Sequence, residues 1–247
     1  MSKRIIGIII PILTCATLIG QDYIMFESQY LELRDGVGHS QLQAGVKKHN
    51  NKFHSGNDGT TKAYLWYVNT GPNSGQYTWA VGPTKFSHYD KSLPADHVRD
   101  WDNNVEKYAR AHTHIFMVRD EDLTYNPENE TVGENILMKR LLVKNGQSSL
   151  EAVEEAVGSI AKVLRRTRAK IARRVYRSAF RTSEGEIMLV YPFSSWTVFE
   201  GGFQGLPEGF QKDYEKVYGK GSWKKNVADV LEKHTNGVTN EVQTMVK

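Results

Sequence analysis

His112 and His114, separated by Thr113, place two imidazoles where a third group could complete a metal site. No carboxylate partner can be read from the spacing, and His39, His49 and His54 form no better constellation, so the sequence names no metal ligands. A structural or surface pair is the simpler reading. A second chemical signal is aromatic. Tyr64 and Trp66 share one face of a strand, and Tyr77 and Trp79 share a face of the next. Such a surface could line a pocket for a flat apolar ligand, although packing between sheets accounts for the same pattern. A third is basic: Lys162, Arg165, Arg166, Arg168, Lys170, Arg173 and Arg174 follow one another with no acid between them. Glu151, Glu154 and Glu155 open the same segment, and acids first with bases last is how a solvated helix complements its dipole. Nucleophile elbow, P-loop, dinucleotide fingerprint, zincin helix and covalent haem motif are all missing, and Gly36-Val37-Gly38 reads as a turn.

The elements that must hold these residues are organised by an internal repeat. Trp101-Asp102-Asn103-Asn104-Val105 leads to His112 with the spacing by which Trp223-Lys224-Lys225-Asn226-Val227 leads to His234, and threonine follows each histidine. Upstream of each copy stands a strand with Val-x-Pro, Val81-Gly82-Pro83 and Val190-Tyr191-Pro192, and before it an aromatic strand, Tyr64–Val68 and Val175–Phe180. Turn-rich residues join each pair into a hairpin. An apolar stripe at helical spacing precedes each hairpin. Leu150, Val153, Val157, Ile160 and Leu164, with Ile171 resuming the stripe and Ser148 and Glu151 at capping-box spacing, form the stronger helix; Leu42, Val46, His49 and Phe53 form the weaker. Short strands, Tyr30–Leu33 and Met138–Val143, come first in each half; His114–Val118 and Val242–Val246 come last.

Each half therefore reads βαββαβ, a ferredoxin-like unit, with residues 28–120 as the first repeat, 121–135 as a polar linker and 136–247 as the second. The fold class is α+β, two tandem repeats packed sheet to sheet as a pseudo-dimeric barrel. This order of elements resembles the dimeric α+β barrel superfamily, which includes antibiotic-biosynthesis-type monooxygenases and haem-degrading oxygenases, here fused in tandem. The resemblance implies a cavity between sheet and helices. The aromatic hairpins, with the catalytic motifs missing, give the first functional expectation: an exported binding protein for a small apolar or aromatic ligand in an aromatic-lined cavity, with Tyr64, Trp66, Tyr77, Trp79, His112 and His234 as candidate contacts and no cofactor. The alternative that the resemblance implies is a cofactor-light oxygenase or haem-handling enzyme; a third reading is an envelope interaction module without a ligand. Val98, Trp101, Val105, Tyr108 and His112 continue at three-four spacing, which predicts His112 on the buried stripe near a helix C-terminus and His234 likewise after Trp223, Val227 and Val230. Both histidines then read as complements to the helix dipole, and the resemblance implies that one of them could be a haem ligand.

Lys3 and Arg4 precede a segment from Ile5 to Gly20 that carries no charge, which predicts a secretory signal over residues 1–20 and an exported, periplasmic or extracellular protein. The only cysteine, Cys15, would leave with it, and the formal charge would fall from +4 to +2. Disulfides, cysteine-ligated metals, a membrane span and nucleic-acid binding are then all unexpected. Asn129-Glu130-Thr131 matches a glycosylation acceptor in a glycosylating host.

Overall fold

A computed structural model describes residues 23–56, 61–127, 133–180 and 185–247. The signal segment and the Asn129 acceptor lie outside these residues. The first half runs β1 (Met25–Leu33), α1 (His39–Phe53), β2 (Ala63–Thr70), β3 (Tyr77–Thr84), α2 (Ala95–Trp101) and β4 (Ala109–Arg119). The second runs β5 (Asn135–Val143), α3 (Gln147–Thr167), β6 (Arg174–Ser178), β7 (Gly185–Phe193), α4 (Phe210–Tyr218), α5 (Asp229–His234) and β8 (Thr235–Met245). The strands close one barrel in the order β1-β3-β2-β8-β5-β7-β6-β4, and every pairing is antiparallel. The halves join edge to edge at β2–β8 and at β4–β6, so no strand edge is left open. The architecture is mixed α+β, an eight-stranded barrel with five helices among the described residues.

Alternation along the strands sends one set of side chains inward and the other toward the helices. Trp66, Met117, Ile136, Met138, Met188 and Val190 form the interior cluster. Outside it, Leu65, Tyr77, Trp79 and Val81 pack beneath Leu42 and Val46 of α1. On the other flank Leu137, Leu141, Ile187 and Leu189 meet Leu150, Val153 and Val157 of α3. The stripe read for α3 holds, since Leu150, Val153, Val157, Ile160 and Leu164 are all buried. Its ends differ from expectation. Gly146, not Ser148, is the N-cap, and Gln147 Nε2 donates to Glu151 Oε1 (2.9 Å). Arg168 in the left-handed region (φ 50°) stops the helix, so Ile171 follows it rather than extending the stripe.

The repeated Trp-x-x-Asn-Val motif has one structural meaning in both halves: Trp101 and Trp223 each lead into a π turn, Asp102–Glu106 and Lys224–Ala228, and Val105 and Val227 are buried. After it the halves diverge. The second continues as α5 to His234, whereas the first enters β4 at Ala109. His112 is therefore a strand residue, not the end of a helix, and Val98, expected on the buried stripe, is exposed. Two members of the basic run are structural. Arg165 Nη2 donates to the carbonyls of Asp122 (2.8 Å) and Thr124 (2.6 Å), and the fully buried Arg173 donates to those of Leu123 (2.9 Å) and Val157 (2.8 Å). Among the described residues no helix is long and apolar enough to cross a membrane.

Candidate ligand site in the barrel

All eight strands contribute to one interior cavity of about 150 Å³. Tyr64 and Trp66 of β2 and Phe26 of β1 supply aromatic rings to its lining, and Met117, Met138 and Met188 supply thioethers, Met117 directly beside Phe26 in the β1–β4 ladder. Methionine adapts its unbranched thioether to the shape of a neighbour and makes favourable contacts with rings. Phe26 and Tyr176 meet edge to face at 5.9 Å. Burial pushes the Tyr176 hydroxyl above the ordinary phenol range, so it stays protonated at neutral pH.

One end of the interior is polar. Arg140 Nη2 donates to the Tyr30 hydroxyl (2.6 Å), which donates to Glu241 Oε2 (2.8 Å). Gln243 Nε2 reaches the same oxygen (3.0 Å), Asn73 Nδ2 reaches Glu241 Oε1 (2.5 Å), and Arg140 Nη1 lies 3.4 Å from Glu186. Burial pushes the Tyr30 hydroxyl well above its usual range, which keeps it a donor to Glu241. Arg140, the cation of this network, faces the Glu186 carboxylate, as burial of charge requires. Two polar atoms on the cavity lining stand apart: Arg140 Nε and Thr78 Oγ1 are buried and make no hydrogen bond. Leaving such a group unmatched costs about 1–3 kcal/mol, so a ligand that supplies an acceptor recovers that cost.

The aromatic candidates divide between two places. Trp66 pairs with Thr78 and Leu65 with Trp79 across the β2–β3 ladder, so Tyr64 and Trp66 face the cavity while Tyr77 and Trp79 face α1. Tyr77 accepts from Gln43 Nε2 (2.8 Å), and Trp79 Nε1 donates to Asn50 Oδ1 (3.0 Å). His112 stands opposite Tyr30 in the β1–β4 ladder, its ring stacked on that tyrosine at 5.8 Å and its Nε2 2.9 Å from Gln76 Oε1. It lies behind the polar end and does not line the cavity. His234, the last residue of α5, is bonded to Ser149 Oγ (3.1 Å) outside the barrel. Arg140 was missed in the sequence because it sits beside Lys139 in an apolar strand, and Glu241 and Gln243 because β8 is polar along most of its length. Period-two alternation through Ile136, Met138 and Arg140 is the signal that could have found the first.

No family model matches the sequence, and no curated protein matches it. Solved structures do. An anthrone oxidase-like protein shares 10% identity over 92% of this chain and 93% of its own, with a TM-score of 0.55. The chlorite dismutase from Candidatus Nitrospira defluvii, solved with imidazole, shares 10% identity over 91% of each chain, with a TM-score of 0.53. At this identity the likeness is one of architecture, and it extends across almost the whole chain. At the level of fold the chain resembles the dimeric α+β barrel superfamily.

Proposed function

We propose that the barrel binds a single-ring aromatic or similarly compact apolar molecule carrying a hydrogen-bond acceptor. The observation that carries this reading is the pair of unmatched donors, Arg140 Nε and Thr78 Oγ1, on the wall of an otherwise aromatic and methionine-lined cavity. A volume of about 150 Å³ equals that of an engineered apolar cavity that takes up benzene. The ring would lie among Trp66, Tyr64 and Met138, with its acceptor toward Arg140. Trp66 reports on occupancy. Titration of the protein with phenol and benzoate should quench tryptophan fluorescence saturably, and Ala80→Leu, which fills the cavity, should abolish the quenching while the melting temperature holds. Unsaturable quenching in the native protein, or full binding in Ala80→Leu, would reject the site.

We read the barrel as two copies of one βαββαβ unit, because β4-β1-β3-β2 in the first half is repeated in order by β8-β5-β7-β6 and both halves set their Trp-x-x-Asn-Val motif at a π turn. Export belongs to the same reading, supported by Lys3, Arg4 and the charge-free segment after them. A mature N-terminus near Gln21, read by mass spectrometry of protein from an exporting host, tests it.

Oxygenase chemistry is the second reading, favoured by the likeness to an anthrone oxidase-like protein. Haem is the cofactor that the superfamily resemblance implies, but the described residues do not fit it in the barrel: no imidazole lines the cavity, and His112 and His234 are engaged elsewhere. Oxygen uptake with a phenolic substrate and no added haem separates oxygenase from binding protein.

A further inference from the structure

On the opposite side of β2 and β3 from the cavity, the fold gathers three histidines that are far apart in sequence. His49 lies on α1 and is fully buried, His54 caps the same helix, and His97 lies in the first turn of α2. One ligand nitrogen from each lies within 4.8 Å of the others. His54 Nε2 and His97 Nε2 are 3.1 Å apart. Two nitrogens each bonded to a tetrahedral zinc at about 2.0–2.1 Å stand about 3.3 Å from one another, so this pair is already close to ligand spacing.

His49 supplies the observation that sets the cluster apart from a packed trio of rings. Its Nδ1 is 2.9 Å from Asp100 Oδ1, which leaves Nε2, buried and with no hydrogen-bond partner, as the nitrogen available to a ligand. A carboxylate on one nitrogen fixes ring orientation and raises the basicity of the other, the usual support for a metal-bound imidazole. Phe53, Trp79 and Trp101 wall the cluster. Access comes from one side, since His54 also lines a cleft of about 230 Å³ between α1 and the ends of β2 and β8.

We infer that His49, His54 and His97 form a three-imidazole site for a borderline divalent metal ion of the zinc class, with Asp100 positioning His49 and the cleft beside His54 giving solvent access to the ion. The chemistry of the donors selects the occupant: three neutral imidazoles suit zinc and its first-row neighbours, whereas calcium and magnesium require oxygen. Three protein ligands with solvent access match zinc centres that keep an open position. The site is independent of any ligand in the barrel.

Full-length protein stripped with EDTA and desalted should bind one equivalent of zinc sulfate by calorimetry and gain in melting temperature. Cobalt chloride should give the intense visible bands of a four-coordinate ion. His97→Gln, at a partly buried position, and His54→Gln should each weaken zinc by roughly 100-fold or more, and Asp100→Asn by about 10–100-fold. Native protein that takes up no stoichiometric zinc or cobalt overturns the site, and this measurement needs no variant to fold. A His54→Gln/His97→Gln double variant that still binds one equivalent with unchanged affinity overturns it equally.

Discussion

His114 and Glu27 show how a single pair makes stability depend on pH. The hydrogen bond to Glu27 raises His114 above the ordinary imidazole value. Burial pushes Glu27 up, but the hydrogen bonds from His114 and Tyr89 outweigh it and hold the carboxyl below its usual range. The histidine's contribution is complete below about pH 6.5 and is lost as pH rises through its folded value. That of Glu27 is complete above its unfolded value and is lost as pH falls through the depressed one. The pair therefore stabilises most in mildly acidic solution. Because the His114 side chain is 48% exposed, solvent screening keeps the effect to about 0.5 kcal/mol. Urea unfolding of native protein and His114→Gln should differ by that amount at pH 5.5 and converge at pH 8.5; a gap that persists at the higher pH rules out the ion pair as its cause. At this scale the sequence was legible where neighbours in the chain suffice. Tyr64 and Trp66 share a face because they lie two apart on one strand. The three-histidine cluster was not legible, because His97 reaches His49 and His54 only through the packing of α2 on α1.

That packing rests on Gly45. A Cβ there would lie 1.8 Å from the Asn104 carbonyl oxygen in the π turn and 3.2 Å from the Tyr108 ring, contacts that only a glycine avoids. Glycine in a helix interior carries an intrinsic cost, offset here by the close approach of α1 to the π turn. Gly45→Ala should lower the unfolding midpoint in urea at unchanged slope, by about 1–3 kcal/mol, the usual cost of overpacking. A variant as stable as the native protein would show that the helices separate freely. The order of most strands and helices was readable because β-branched and aromatic strands alternate with one clear apolar stripe and one weaker one. The helix ends were not. Periodicity carried past Glu106 to His112, but the chain leaves the π turn for β4, where Thr113 (φ 51°) and a register shift opposite β1 mark a bulge. Nor did periodicity show α4, whose buried Phe210 and Tyr214 follow a glycine-rich stretch that reads as loop.

The barrel makes the two halves one thermodynamic unit. Alone, either half would expose two strand edges, β2 and β4 in the first, β8 and β6 in the second, and the interior faces that now meet across Trp66, Met117, Ile136 and Met188. Polar contacts cross the boundary as well. Tyr30 of the first half holds Glu241 of the second, Arg140 of the second holds Tyr30, and Asn69 Nδ2 donates to Thr244 Oγ1 (2.9 Å). A half that unfolded alone would strand buried charges in its partner, an expense of several kcal/mol on top of the lost apolar burial. Neither half can therefore melt first. Calorimetry should give one transition in which the calorimetric and van't Hoff enthalpies agree, although the chain has the length of two small domains. Arg140→Met should lower that transition without splitting it, because the loss falls on both halves together. Two resolved transitions, in the native protein or in Arg140→Met, would mean that the edge pairings are weak and that each half is stabilised by its own helices.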